Sequence, residues 1–265
     1  MAQLLTFVLY APLASFGEVA VGEQRPTADH PGRSAILGLI AAALGIRRDE
    51  DVAQAALQSG YGVAVLQLSP GSLLRDYHTA QSTSASDLKK AARSTRRDEL
   101  RAVQRAELNT ILSERDYRGE ALHVAGIWER NSPPHPLSAV AKALEEPAFC
   151  LYLGRRSCPV ALPLSPKVRD TESLSAGFSE AVAELQVQWL PADASPDQLQ
   201  RRHIQKFVKA ERGPLFWEAG FESGIAAMPD RYVRHDQALH RGRWQFGVRE
   251  EFRSGWILGE PEKAT

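Results

Sequence analysis

An α+β fold is predicted by three features of the 265-residue chain. Residues 4–10 (LLTFVLY) form an unbroken apolar run rich in β-formers, the pattern of a strand buried on both faces. Strand and helix signatures then follow in the order strand, helix, strand, polar excursion, strand, helix, strand as far as residue 153. Beyond residue 159 come short strand candidates among dense turn signals. The first order is the ferredoxin-like (RRM-like) plan used by RNA-recognition domains. The expected architecture is therefore a ferredoxin-like domain carrying an insertion and a β-rich C-terminal extension.

Each element has a local reason. After the first strand, residues 15–33 are rich in Gly, Pro and polar residues and read as a loop. The stretch SAILGLIAAALGI is apolar on nearly every face, with Ser34 placed as an N-cap and Gly45 as a C-terminal stop, so it reads as a short buried helix. Its small residues suit close packing on a sheet. Residues 51–59 suggest a further helical turn or two. Residues 61–68 favour a strand, closed by Ser69-Pro70-Gly71. Residues 82–118 are polar and basic, with helix-forming composition at 98–112. Strand character resumes at 121–128, an amphipathic helix follows at 137–145, and 149–153 reads as a strand. In the last third the best strand candidates are 185–190, 232–234 and 245–249. Trp189, Trp217, Trp244 and Trp256 suit core or interface positions.

Composition excludes several classes. Hydrophobic residues make up 43% and charged residues 24%, the balance of an ordinary folded chain. The longest apolar stretch, 36–46, is too short to span a bilayer, and the apolar N-terminus lacks the basic flank of a secretory signal. A membrane role is not expected. Cys150 and Cys158 match no zinc spacing and suit reduced thiols in a cytoplasmic protein, so no metal or other cofactor is expected. Lys plus Arg equals Asp plus Glu, 32 each, yet the charges are unevenly placed. Residues 30–48 contain Arg33, Arg47 and Arg48 and no acid. Residues 147–169 contain Arg155, Arg156, Lys167 and Arg169 and no acid. Such stretches can build a basic surface on a neutral protein.

Three segments carry chemistry. In residues 25–51, a loop with Gly32, Arg33 and Ser34 leads straight into the helix, where free amides beside an arginine suit an anion; an ordinary capped helix with an exposed arginine is the plainer reading. Neither GxxxxGK[ST] nor GxGxxG is present. In LLRDYHTAQ, Arg75, Tyr77 and His78 set a guanidinium, a phenol and an imidazole close together. They suit phosphate binding and base stacking, or an Arg–Asp pair at a strand end, or metal-free RNA cleavage by acid–base help. In YLGRRSCPVALPL, Gly154 permits a sharp turn and Arg155, Arg156 and Ser157 follow it, a pattern suited to phosphate forks.

Together these segments resemble the CasD family, the Cas-five-type subunit of the type I-E CRISPR Cascade complex. The resemblance rests on RPT, on P-x-R-S followed by LGLIAAALGI and RRDED, on LRDYHT, and on YLGRRSCP-x-x-x-PL, in the family's order. APLASFG resembles the family's glycine–proline–aromatic turn, with Ala11 for the glycine and Phe16 for the tryptophan. Gly32 replaces a common threonine. The matching segments cover roughly a third of the chain.

The resemblance implies a ferredoxin-like palm, residues 1–78 and 119–265, with an inserted thumb at 79–118. It implies a non-catalytic protein that binds the 5′ handle of the crRNA between a CasA-type large subunit and CasC-type backbone subunits. Target DNA is met only through the complex, and the RNA is cut by a separate subunit, CasE. The handle-contact candidates it implies are Arg25, Arg33, Ser34, Arg75, Tyr77, His78, Arg155, Arg156 and Ser157, joined by Lys89, Lys90 and Arg93 of the basic insertion. The RNP signature of sheet-face RNA binders is absent, so loops and thumb are expected to touch RNA. Two alternatives stay open. One is a repeat-cleaving endoribonuclease using Tyr77 and His78, or His203 and Lys206. The other is a partner that contacts protein alone through residues 98–112.

Overall fold

The computed structural model describes residues 2–18, 20, 22–90, 95–101, 103–190, 199–240, 243 and 245–259. Strand β1 (Ala2–Ala14) lies inside the sheet, between β7 and edge strand β8. Its alternating side chains divide between two cores: Leu5, Phe7, Leu9 and Ala11 face one layer, and Leu4, Val8 and Tyr10 the other. That double burial is why the run is apolar without interruption. The loop that follows carries β2 (Phe16–Gly17), β3 (Gln24–Arg25) and β4 (Thr27–Ala28). Helix α1 (Arg33–Ala43) and helix α2 (Asp51–Gly60) lead into the buried strand β5 (Tyr61–Ser69).

Strands β6 (Ser72–Ser82) and β7 (Asn109–Glu129) form an antiparallel hairpin. The inner half of β7 pairs with β1 and β5, whereas the pairing from Ser72↔Gly119 out to Ser82↔Asn109 continues beyond the sheet. Between them lie α3 (Ala85–Lys90), α4 (Arg96–Arg101) and a 3-10 turn at Arg105–Glu107. Helix α5 (Leu137–Glu145) and edge strand β8 (Lys167–Thr171) follow. Then come α6 (Leu174–Trp189), α7 (Leu199–Val208), β9 (Arg212–Trp217), β10 (Asp230–His240) and β11 (Gln245–Ile257). Among the described residues the main sheet runs β10-β11-β9-β5-β7-β1-β8, with antiparallel neighbours throughout. Helices α1 and α5 share one core with the sheet, and α6 and α7 the other. The result is a sheet-rich mixed α/β protein. No helix among the described residues is long and apolar enough to cross a membrane.

Four expectations need correction. Gly32, not Ser34, is the N-cap of α1, and it contributes no side chain. The helix expected over 98–112 ends with α4 and the 3-10 turn; from Asn109 the chain is strand, because Thr110 and Leu112 pair with Gln81 and Thr79. Cross-strand hydrogen bonds there override a weak helical propensity. Residues 149–153 make a single bridge, Tyr152↔Pro159, instead of a strand. The backbone amides of Ala148 and Phe149 instead donate to the carbonyls of Ala43 (2.9 Å) and Ala42 (3.2 Å), satisfying the end of α1. Residues 185–189 are the end of α6 and Leu190 is its C-cap; the helix's buried Leu174, Phe178, Val182 and Leu185 recur at helical spacing.

Gly45 does end α1, with φ +78° and its amide on the Ala42 carbonyl at 3.2 Å. Trp217 and Trp256 are buried, while Trp244 lies outside the described residues.

Phe7 is fully buried at the centre of β1. Phe7→Ala is expected to cost about 3–5 kcal/mol, read as a lower urea midpoint with unchanged slope; a loss below about 1 kcal/mol would mean that β1 is not the centre of the core.

Candidate nucleic-acid interface

The first turn of α1 leaves backbone amides unsatisfied by the helix itself. The structure fills that position from within: Asp236 on β10 accepts from the Arg33 amide at 2.7 Å. A Cβ on Gly32 would overlap this carboxylate, which explains why glycine stands there. The Arg33 side chain turns inward and is buried. Its Nη1 donates to Glu218 at 2.6 Å, Nη2 to the carbonyls of Tyr61 (3.0 Å) and Gln58, and Nε to Gln58 Oε1 at 3.3 Å. An exposed arginine at this helix start was expected, for an anion or as a plain surface charge. The guanidinium instead closes the junction of α1, α2 and β5.

Around this point runs a buried chain of ion pairs. Arg249 on β11 holds Asp236 through Nε (2.6 Å) and Nη2 (2.8 Å), and Glu251 through Nη2 (2.6 Å). Glu251 reaches His30 Nε2 at 3.1 Å, and His30 Nδ1 lies 2.6 Å from Asp29. The His30 ring stacks on Phe216 at 3.7 Å. Glu218 also meets Arg130 at 3.0 Å.

The electrostatics follow from this crowding. Burial opposes charging His30, but the carboxylates of Asp29 and Glu251 outweigh it and raise its pKa. Burial would raise the Glu251 pKa, but His30, Arg249 and Arg234 bring it down to about 2. The hydrogen bond from His30 likewise brings Asp29 down to about 2. His123, fully buried beneath Phe16, is pushed down to about 3 by burial and stays neutral, with Nε2 at 3.0 Å from the Asp29 carbonyl.

Outside this network the loop and the 149–155 turn border an open groove of about 1380 Å³. Its floor is the outer face of α1, where Ser34, Ala35, Gly38 and Ala42 present little side-chain bulk. Of the small residues expected to pack α1 on the sheet, Ala41 and Ala43 are in the core, whereas these four face the groove and keep its floor low. Arg25, Arg47, Arg48 and Arg155 line the groove against Glu18 and Asp236, and Phe149 and Tyr152 add aromatic surface. The turn at Gly154 is forced: φ is +86°, and a Cβ would overlap the Ser15 carbonyl oxygen. It aims Arg155 across Tyr117, 4.5 Å from the ring centre, with Nη1 on the Asp116 carbonyl (3.1 Å) and Nη2 on the Arg25 carbonyl (3.0 Å). Arg25 is exposed and Ser34 half-buried on the facing side. Arg156 and Ser157 are exposed just beyond the turn, and Arg156 makes no ion pair among the described residues.

The β6–β7 ribbon stands beside the groove. Arg75 forks onto Asp116 (Nε–Oδ1 2.9 Å, Nη2–Oδ2 3.2 Å), which holds the Asp116 carboxyl below its ordinary range. The arginine's partner is thus the cross-strand acid and not its neighbour Asp76. Tyr77 shares the Arg75 face and is exposed, while His78 lies on the other face against Asp76. Neighbours along a strand diverge in this way, so Tyr77 and His78 do not converge on one point. Lys89 and Lys90 end α3, but their side chains and that of His203 lie outside the described residues, as does Arg93 entirely. Sequence reading missed Asp236, Glu218, Glu251 and Arg249, and also Tyr117 beneath Arg155. The acid-free stretches were a signal for the groove; nothing local marked the acids that close it.

A sheet-rich α/β chain with a cationic groove beside a projecting ribbon is thus the class of molecule in hand. The family described as CRISPR-associated protein (Cas_Cas5) matches residues 4–251, and the chain belongs to it. The CRISPR system Cascade subunit CasD of Escherichia coli (strain K12) is 32% identical over 172 residues, covering 62% of this chain and 70% of that protein. Among solved structures, a chain of a CRISPR RNA-guided surveillance complex aligns with a TM-score of 0.60 at 21% identity, covering 98% of this chain and 95% of that one. A Cas protein crystal structure aligns at 0.52 and 20% identity, covering 98% and 96%. These two likenesses show a shared fold.

The buried pairs set a pH dependence whose sign is fixed. The stabilisation from Glu251 is complete above its unfolded value of about 4.3 and fades as pH falls toward its folded value. That from His30 is complete below about 6.5 and fades as pH rises through its raised folded value. The stability lost in Glu251→Gln, measured by denaturant unfolding, is therefore expected to be greatest between about pH 4.5 and 6.5 and smaller on either side. A difference independent of pH would show that the His30–Glu251 pair is not formed.

Proposed function

We propose that the chain is a non-catalytic RNA-binding subunit of a Cascade-type CRISPR complex, holding the 5′ handle of a crRNA in the groove between loop 15–34 and the 149–155 turn. One observation carries this reading: Arg25, Ser34 and Arg155, from segments far apart in sequence, converge on a groove floored by small residues of α1. Single-stranded RNA is held by cations that follow its phosphates and by aromatic faces that stack its bases, each stack contributing about 1–3 kcal/mol. Splayed base edges in such a groove supply the sequence preference. Exposed Arg156 and Ser157 extend the cationic wall, and Tyr77 with Arg75 offers a stacking and phosphate surface on the ribbon. Arg33 acts from beneath as a structural support.

The strand order β5-β7-β1-β8, with helices in the two crossovers, supports reading residues 1–78 and 119–265 as a ferredoxin-like palm with a C-terminal extension. The ribbon and its helices, within residues 79–118, then form the thumb. The relative named as a Cascade subunit supports assembly with a CasA-type large subunit and CasC-type backbone subunits, target DNA being reached through the complex and the work being done in the cytoplasm. A cleaving role has little support in the geometry, since His78 pairs with Asp76 on the ribbon face away from Tyr77.

Handle RNA binding is expected to weaken with salt, with a log–log slope of about −0.7 per phosphate contacted. Arg155→Ala with Arg156→Ala should flatten that slope and reduce recovery of guide-loaded complex. Arg156→Ala alone separates charge from wall geometry, since Arg155 also bridges two backbone carbonyls. Unchanged slope and assembly in both variants would remove this face from the RNA path. Cleavage of repeat RNA in EDTA that is abolished by His78→Ala would replace the binding reading with a catalytic one.

A further inference from the structure

Loop 15–34 forms one wall of the groove yet has little backbone pairing of its own. Its ladders are two residues long, β2 with β4 and β3 with β7. Residues 29–33 are held mainly by groups from elsewhere. Gln67 Nε2 (2.8 Å) and His123 Nε2 (3.0 Å) reach the Asp29 carbonyl from the central sheet. Gln58 and Tyr61 hold the Arg33 guanidinium from α2 and β5, and further ties come from the C-terminal strands and the residue after β9: Glu251 and Phe216 on the His30 ring, Asp236 on the Arg33 amide, and Glu218 on the Arg33 guanidinium. These strands lie about 200 residues further along the chain, where the bond between Arg33 and Asp236 spans 203 positions.

We propose that Asp236 and Glu251 are positioning residues for the RNA groove: through the Arg33 amide and the His30 ring they clasp loop 25–34 against the sheet, and this is a principal task of the β10–β11 pair. The inference rests on the RNA-binding reading and gives the C-terminal strands a part in it. The clasp also predicts a sign that electrostatics alone does not. Both residues are acids, and Asp236 borders the groove. Removing a negative charge beside a phosphate path should by itself tighten RNA binding. Loss of a clasp should weaken it, because the wall carrying Arg25 is no longer fixed and its ordering must be supplied on binding.

The test measures handle-RNA affinity of Asp236→Ala and Asp236→Asn, together with hydrogen exchange of residues 29–34, at a temperature where each variant is folded by near-UV circular dichroism. Asp236→Ala is expected to bind about tenfold more weakly, the order of effect of a lost helix cap. Exchange at 29–34 should rise while β1 stays protected. Asp236→Asn keeps an acceptor for the Arg33 amide and should recover much of the affinity. Binding by folded Asp236→Ala that is unchanged or tighter would overturn the proposal. If that variant does not fold, Glu251→Gln leaves the Arg33 cap intact and should raise exchange of the Asp29 and His30 amides and weaken binding severalfold; unchanged exchange and affinity would overturn it equally. If the folded wild-type chain bound no handle RNA and made no contact with it in the guide-loaded complex, the functional reading would fall by itself. The exchange measurements would still decide whether the clasp exists.

Discussion

The placement of the groove depends on one buried contact, the Arg33 residue held at both ends. Its amide is capped by Asp236 and its guanidinium is paired with Glu218 and two carbonyls. Through this residue the start of α1, the end of α2, the central strand β5 and the C-terminal strands meet at one point. A charged side chain removed from water costs several kcal/mol unless its donors are all engaged. Here the engagement is extensive, and it extends through Arg249 and Glu251 to His30. Such a network is weak as a source of net stability and strong as a determinant of geometry, because removing one member strands another. It fixes where α1 begins, and therefore where the groove floor lies.

The same contact separates two kinds of arginine that look alike in sequence. Arg33 and Arg155 both follow a glycine at a turn and were both candidates for phosphate. Arg33 is enclosed by acids from distant strands, whereas Arg155 hydrogen-bonds carbonyl oxygens, lies over the Tyr117 ring of β7 and meets the Asp116 carboxylate only through space. A guanidinium bonded to neutral carbonyls stays attractive to an anion. One bonded to a carboxylate in the interior does not. Arg25, like Arg155, lines the groove with its guanidinium on backbone carbonyls.

Much of the fold was legible. Residues 4–10 could be read as a central strand because both faces are buried, and the amphipathic pattern at 137–145 coincides with α5. Failures came where long-range pairing decided. Residues 109–112, the end of the helix expected over 98–112, are strand because β6 lies alongside. Residues 185–189, alternating in short view, belong to a helix whose period shows only over the whole of α6. The groove was half legible: the acid-free stretches contain Ser34 and Arg155, which line it, whereas Arg25 was singled out by the family resemblance. Asp236 and Glu251 could not be foreseen, since nothing near them in sequence indicates His30 or Arg33 as partners.

The central claim is that arginine-bearing turns around the α1 floor hold the leading nucleotides of a guide RNA without cleaving it. Photo-crosslinking within the guide-loaded complex, with a photoreactive nucleotide at each handle position and mass spectrometry of the attached peptides, tests it most directly. The account predicts crosslinks on peptides containing Arg25, Ser34 or the 149–157 turn, with the RNA intact. Crosslinks confined to the α6–α7 side of the sheet, or to other subunits alone, would contradict it.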